Sequence, residues 1–230
     1  MTYIETISGR RFSLQFPDPD AVHIPDIAHS LSLLNRFVGH TTRGYSVAEH
    51  SLWAWLIVEK EFPRDYLLQL HALLHDAHEA YTGDVSGPLR MLLPDVAELS
   101  LMIDVAIYRH LGIALPTVAE SAYLHEVDRR LRTTERRCPA LMPNTSDANW
   151  PNEKVPYQEV LDGTWVLEPV KLSPSWPGPS RFRFPLGVAL QDPPDASTPR
   201  GFVPMFGTGL AFLYEHNLRR LLALVKGATP

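Results

Sequence analysis

Only one cysteine, Cys138, occurs in 230 residues, so an internal disulfide framework is excluded and a reducing compartment is expected. Long apolar runs are also missing. The longest, Leu52 to Val58, is far too short to cross a bilayer, and the first twenty residues lack the apolar stretch of a secretion signal. The expectation is a cytoplasmic protein with no membrane partner. Charge of one sign is scarce too: the net charge is −5, so there is no basic field of the kind that marks nucleic-acid binders. The run Arg129 to Arg137 reads as a solvated helix face, which makes a nucleic-acid partner unlikely on sequence grounds.

What is present is a chain long enough for a full hydrophobic core, with helical periodicity through most of its first 140 residues. Residues 2–17 read as a short β-hairpin turning at Ser8-Gly9-Arg10. Helices are expected from an Asp26 N-cap through Phe37, and from a Ser46/Glu49 capping box through Ile57. Another runs over the segment around Leu67–Tyr81, closed by Gly83, with Asp84 to Leu93 as a loop. Two more follow Pro94 and Pro116, the second running to about Arg137. Fourteen of the 21 prolines lie beyond Cys138, so residues 143–206 read as irregular, with a short helix near 153–161 and extended pieces near 164–170. A last helix spans about 209–225. The fold class expected is all-α: one domain over 1–230, with a helical core at about 26–137, a proline-rich insertion and a C-terminal helix that packs back.

Chemistry concentrates in Leu73-Leu74-His75-Asp76-Ala77-His78-Glu79-Ala80-Tyr81-Thr82-Gly83-Asp84. Leu67, Leu70, Leu74, Ala77 and Tyr81 form its apolar stripe, while His75 and Asp76 each stand one turn from Glu79. Ionisable groups at the edge of a buried helix are costly unless something satisfies them, and a metal ion would. His50 shares the inward face of Trp53, Ala54 and Ile57, and Asp128 stands at the margin of the Leu124/Val127/Leu131 stripe. His50, His75, Asp76 and Asp128 thus make a two-imidazole, two-carboxylate set suited to one borderline divalent metal such as Zn, Mn, Fe, Co or Ni. His71, His75 and His78 fall nearly on one stripe. Extra histidines could bring a second metal, and on the helices after Pro94 and Pro116 the candidates are His110 and His125.

The order His … His-Asp … Asp resembles the HD superfamily of metal-dependent phosphohydrolases. Asn35-Arg36-Phe37, Tyr45-Ser46-Val47-Ala48-Glu49-His50-Ser51 and His75 through Asp84 together resemble its 5′-deoxynucleotidase branch, which includes phage dATP triphosphohydrolases. The resemblance covers roughly residues 20–137. It implies an HD-domain helical bundle with His50, His75, Asp76 and Asp128 on the metal. It implies catalytic roles for Glu79, on the attacking water or the leaving oxygen, and for Asp84 as a second acid/base group. Arg36 would clamp phosphate, Phe37 would pack on the sugar and disfavour a 2′-hydroxyl, and Arg90 would reach phosphate oxygens. Where relatives often carry Pro-Thr-Pro, this chain has Ser86-Gly87-Pro88. The implied reaction is hydrolysis of the 5′ phosphoester of a small-molecule deoxynucleotide, a monophosphate first. A dNTP triphosphohydrolase is the alternative, and a non-catalytic nucleotide sensor the reading from another class. The family also implies a homo-oligomer.

Overall fold

A computed structural model describes residues 2–150, 154–164 and 208–227. The chain is mostly helical, with one short antiparallel hairpin at its start. β1 (Tyr3–Glu5) pairs with β2 (Arg11–Ser13), Ile4 opposite Phe12, and the Phe12 ring stacks on Tyr81 at 3.8 Å. This ties the hairpin to the helical core.

α1 (Ile24–Leu33) starts three residues earlier than the sequence suggests, because Pro25 fits its first turn and His23 takes the cap position. Asp26 instead lies inside the helix, where it accepts hydrogen bonds from Thr6 Oγ1 and Ser8 Oγ, each 2.6 Å long. The helix also stops short of Phe37. Asn35 bridges to Ser46, with Arg36 N donating to Tyr45 O and Val47 N to Leu34 O. The intervening loop is thereby pinched shut, and Phe37 and Val38 enter the left-handed region at φ 56° and 54°.

α2 (Val47–Glu61) is the central rod, buried from Val47 through Val58. A helix apolar on all sides must be surrounded, and α1, α3 (Tyr66–Leu74), α7 (Val118–Arg137) and α9 (Thr208–Val225) all pack against it. Half of the expected capping box forms. Ser46 Oγ accepts from Glu49 N, but the Glu49 carboxylate turns to Arg43, which donates to both of its oxygens at 2.8 and 2.9 Å.

The helix expected across His75 to Gly83 is interrupted. α3 ends at Leu74 and α4 (Glu79–Thr82) follows, joined by a tighter turn in which Ala77 N, Glu79 N and Ala80 N bond back three residues rather than four. One competitor is visible: His75 Nδ1 lies 2.7 Å from Ala72 O, the carbonyl that an unbroken helix would offer to the next residue's amide. The apolar stripe survives the break, since Leu70, Leu74, Ala77 and Tyr81 are all buried. Gly83, at φ 78°, ends α4 in a conformation that side chains resist.

The stretch expected as a loop contains α5 (Gly87–Leu92), started by Pro88 in its first turn. α6 (Asp95–Leu111) follows Pro94, and α7 begins at a complete Thr117/Glu120 capping box. Within the expected 153–161 segment the helix is α8 (Gln158–Leu161). Beyond Thr164, the extended pieces expected to residue 170 and the rest of the proline-rich stretch lie outside the described residues. α9 returns to pack on α1 and α3, with Tyr214 Oη donating to Leu73 O at 3.0 Å.

The basic run of α7 is not a solvated face. Arg136 is fully buried and donates to Thr145 and Asp147, while the Arg130 guanidinium lies 3.9 Å over the Tyr157 ring. These arginines fasten the following segment to the helix.

Candidate metal centre

Three elements converge on one point. His50 comes from the first turn of α2, His75 and Asp76 from the tight turn after α3, and Asp128 from α7. His50 Nε2 lies 3.1 Å from His75 Nε2, 3.2 Å from Asp128 Oδ1 and 3.6 Å from Asp76 Oδ2, and His75 Nε2 lies 3.2 Å from Asp76 Oδ2. With metal–donor bonds of about 2.1 Å, neighbouring donors on one ion lie roughly 3.0–3.4 Å apart, close to this spacing.

The tautomers fit as well. His50 Nδ1 faces Glu135 Oε1 at 2.5 Å, and His75 Nδ1 faces the Ala72 carbonyl. Each ring therefore engages Nδ1 with an acceptor behind it and turns Nε2 toward the centre. Burial and Arg36 oppose a charge on His50, but Glu135 and Asp128 outweigh them and raise its pKa to about 9. The 3.1 Å approach of the two Nε2 atoms calls for a proton or a metal cation between them, and a divalent ion would take the proton's place. The donor set, its spacing and its outer hydrogen bonds all fit a divalent ion, and His50, His75 and Asp76 form a group that can hold one.

The sequence reading missed Glu135. It is fully buried on α7, seven residues and therefore about two turns beyond Asp128. Besides His50 it accepts from Tyr45 Oη at 2.8 Å, and its Oε2 lies 3.4 Å from Arg36 Nε. Burial works against its ionisation, but the Arg36 and His50 charges and the hydrogen bonds win and hold its carboxyl below the usual range. The signal that could have found it is the i, i+7 spacing from Asp128. That signal was hidden among the arginines.

Arg36 is buried with its guanidinium among three carboxylates: Glu135, Asp76 (3.4 Å) and Asp128 (4.0 Å). Burial opposes its charge, the carboxylates more than compensate, and its pKa is raised. Phe37, half-buried, sets its ring 5.7 Å from that guanidinium. Glu79 is 2% exposed. Burial, then the neighbouring Asp76 and Asp84 charges, push its carboxyl well above the ordinary range. Asp84 is raised in the same direction, chiefly by burial with Asp76 adding to it. Arg90, from α5, brings Nη2 within 3.6 Å of Glu79 Oε1. The residues singled out in the sequence thus gather around one centre. Arg36 contacts the donor carboxylates directly, Phe37 lies against Arg36, and Glu79, Asp84 and Arg90 stand on the side of the α4–α5 segment.

No family model matches the chain. YfdR of Escherichia coli (strain K12), an uncharacterized protein, is 35% identical over 178 residues, which span 77% of this chain and 89% of YfdR. An uncharacterized protein of Rhodobacter capsulatus is 40% identical over 120 residues, 49% of this chain and 58% of its own length.

Proposed function

The chain belongs to the same family as Escherichia coli YfdR, and from its site we propose a metal-dependent phosphohydrolase that cleaves the 5′ phosphoester of 2′-deoxynucleotides. The relatives bring no activity with them, so the reading rests on the residues. One observation carries it: His50, His75 and Asp76 bring donor atoms within 3.1–3.6 Å of one another, Asp128 stands 3.2 Å from His50, and both Nδ1 atoms are already engaged behind them.

His50, His75, Asp76 and Asp128 would hold a divalent ion, which would supply Lewis acidity toward a phosphoryl oxygen and lower the pKa of water. The protein's own groups do the rest. Arg36 presents a planar donor fork at the edge of the donor set, where it offsets charge developing on the phosphoryl oxygens. Glu79 Oε2, buried and without a hydrogen-bond partner, accepts a proton from attacking water or returns one to the leaving 5′ oxygen. Asp84 assists as the second acid/base group. Arg90 holds the other Glu79 oxygen and extends a cation toward the phosphate. The Phe37 ring stands beside Arg36, where a sugar joined to the clamped phosphate would meet it, and its bulk disfavours a 2′-hydroxyl.

The test is product analysis after incubating cobalt- or manganese-loaded protein with each dNMP, dNTP and NTP, with Asp76→Ala as control. Inorganic phosphate from dNMPs is expected. Inorganic triphosphate from a dNTP would keep the chemistry and change the substrate. Absence of turnover with any nucleotide, despite bound metal, would overturn the hydrolase in favour of a nucleotide sensor.

A further inference from the structure

We propose a second divalent-cation site beside the first, formed by Asp76, His78 and Glu79, with Asp104 as the residue that orients His78. It rests on the reading of the first centre as a metal site, because Asp76 belongs to both.

His78 and Glu79 are 5% and 2% exposed. His78 Nδ1 lies 3.2 Å from Asp104 Oδ1, so the ring proton on that side is spoken for and Nε2 is left with a lone pair. That Nε2 is buried and has no hydrogen-bond partner, and neither has Glu79 Oε2. A buried polar atom without a partner calls for an explanation. Each of Asp76, His78 and Glu79 offers a donor atom within 4.8 Å of the other two. A cation among them satisfies both orphaned atoms at once and relieves the repulsion between the two carboxylates.

The tight turn explains why three such residues meet. Three-residue turns eclipse i and i+3, which stacks Asp76 and Glu79 on one side, and His78 reaches the same region from the intervening position. Asp104 arrives from α6, which supplies no other group to the centre described above. It plays toward His78 the part that Glu135 plays toward His50: a carboxylate behind the ring that fixes which nitrogen faces forward. One imidazole and two carboxylates suit Mn, Co or Zn. Asp76 has two oxygens and can offer one to each ion. Paired ions are one established way to stabilise the attacking and leaving oxygens of a phosphoryl displacement. With Glu79 held as a ligand, proton transfer falls to Asp84. The later histidines take no part: His110 lies at the surface against Pro19 O, and His125 is exposed.

Cobalt titration of the metal-free full chain tests this, with stoichiometry read by elemental analysis after gel filtration and coordination read from visible d–d absorption. Two cobalt ions per wild-type chain are expected, one in His78→Ala, and one in Asp128→Ala with the spectrum of the other site. Asp104→Asn, which keeps the volume of the side chain, should weaken the second site roughly 10- to 100-fold while the first stays filled. Thermal unfolding of each variant checks that it is folded, and His78→Gln replaces any alanine variant that is not. A wild-type chain saturating at one ion, or two ions persisting in the His78 variants, overturns the second site and leaves the first standing. A wild-type chain that binds no cobalt overturns both.

Discussion

Glu135 shows how much one buried carboxylate can hold together. It holds the His50 imidazole through one oxygen and faces the Arg36 guanidinium with the other, while Tyr45 donates to it as well. Glu135→Gln keeps the size but removes the charge. The amide can no longer both accept from His50 and neutralise Arg36. We predict a 10- to 100-fold loss of affinity for the first metal, measured by competition with a chelator, with the fold retained. Glu135→Ala should cost about 3–5 kcal/mol in urea unfolding, because it leaves the buried His50 Nδ1 without its acceptor and removes one of the carboxylates around the buried Arg36. His50, His75, Asp76 and Asp128 were legible in the sequence because their types and face positions carry the chemistry. Glu135 was not, since an acid flanked by Thr134 and Arg136 on a basic run looks like one half of a surface ion pair. Only the packing of α7 on α2 reveals that this turn faces inward.

Among the elements, the hairpin and the 35–46 loop are fastened by specific polar contacts. Asp26 anchors the hairpin to α1 through Thr6 and Ser8. Burial pushes its pKa up, but the hydrogen bonds of Ser8, Thr6 and His23 outweigh that, and the net result lies below 3.8. A depressed folded pKa contributes stability above the unfolded value and loses it as pH falls through the folded one. Asp26→Asn should therefore cost about 1–3 kcal/mol at pH 7. The difference from wild type should shrink once pH drops below the ordinary carboxylate range, as urea unfolding at pH 7 and pH 3 would show. The 35–46 loop carries the opposite sign. Val38 is exposed yet held at φ 54°, strain of roughly 1–2 kcal/mol for a β-branched residue. Val38→Asn, a residue that tolerates this conformation, should raise stability by about 1 kcal/mol in the same assay. Helix existence was readable from periodicity throughout this region. Two of the misread boundaries, at Phe37 and at His75–His78, are places where other contacts override helical preference: the Asn35–Ser46 bridge in one, the local His75 contact to Ala72 in the other. Both lie at the candidate site.

For the whole molecule, the centre is where α2, the α3–α4 turn and α7 meet, so a bound ion joins three elements that are far apart in sequence. Without a cation, the imidazole lone pairs and the carboxylates of this centre are balanced only by Arg36 and whatever protons they retain. A ligand that binds the folded chain alone stabilises it by mass action, about 2.7 kcal/mol at a hundredfold excess over Kd. Melting temperature should therefore rise steadily with cobalt or manganese concentration and fall back when a chelator is added, with magnesium a weak substitute because imidazole donors do not suit it. Asp128→Asn should flatten that rise while leaving the metal-free melting temperature close to wild type, since Asp128 is part-exposed and the amide keeps its shape. Asn217→Ala, on the buried face of α9 and away from the donor set, should lower the metal-free value but keep the full metal-dependent rise. A melting temperature indifferent to every transition metal would mean that the convergence of these helices is a packing arrangement and not a binding site.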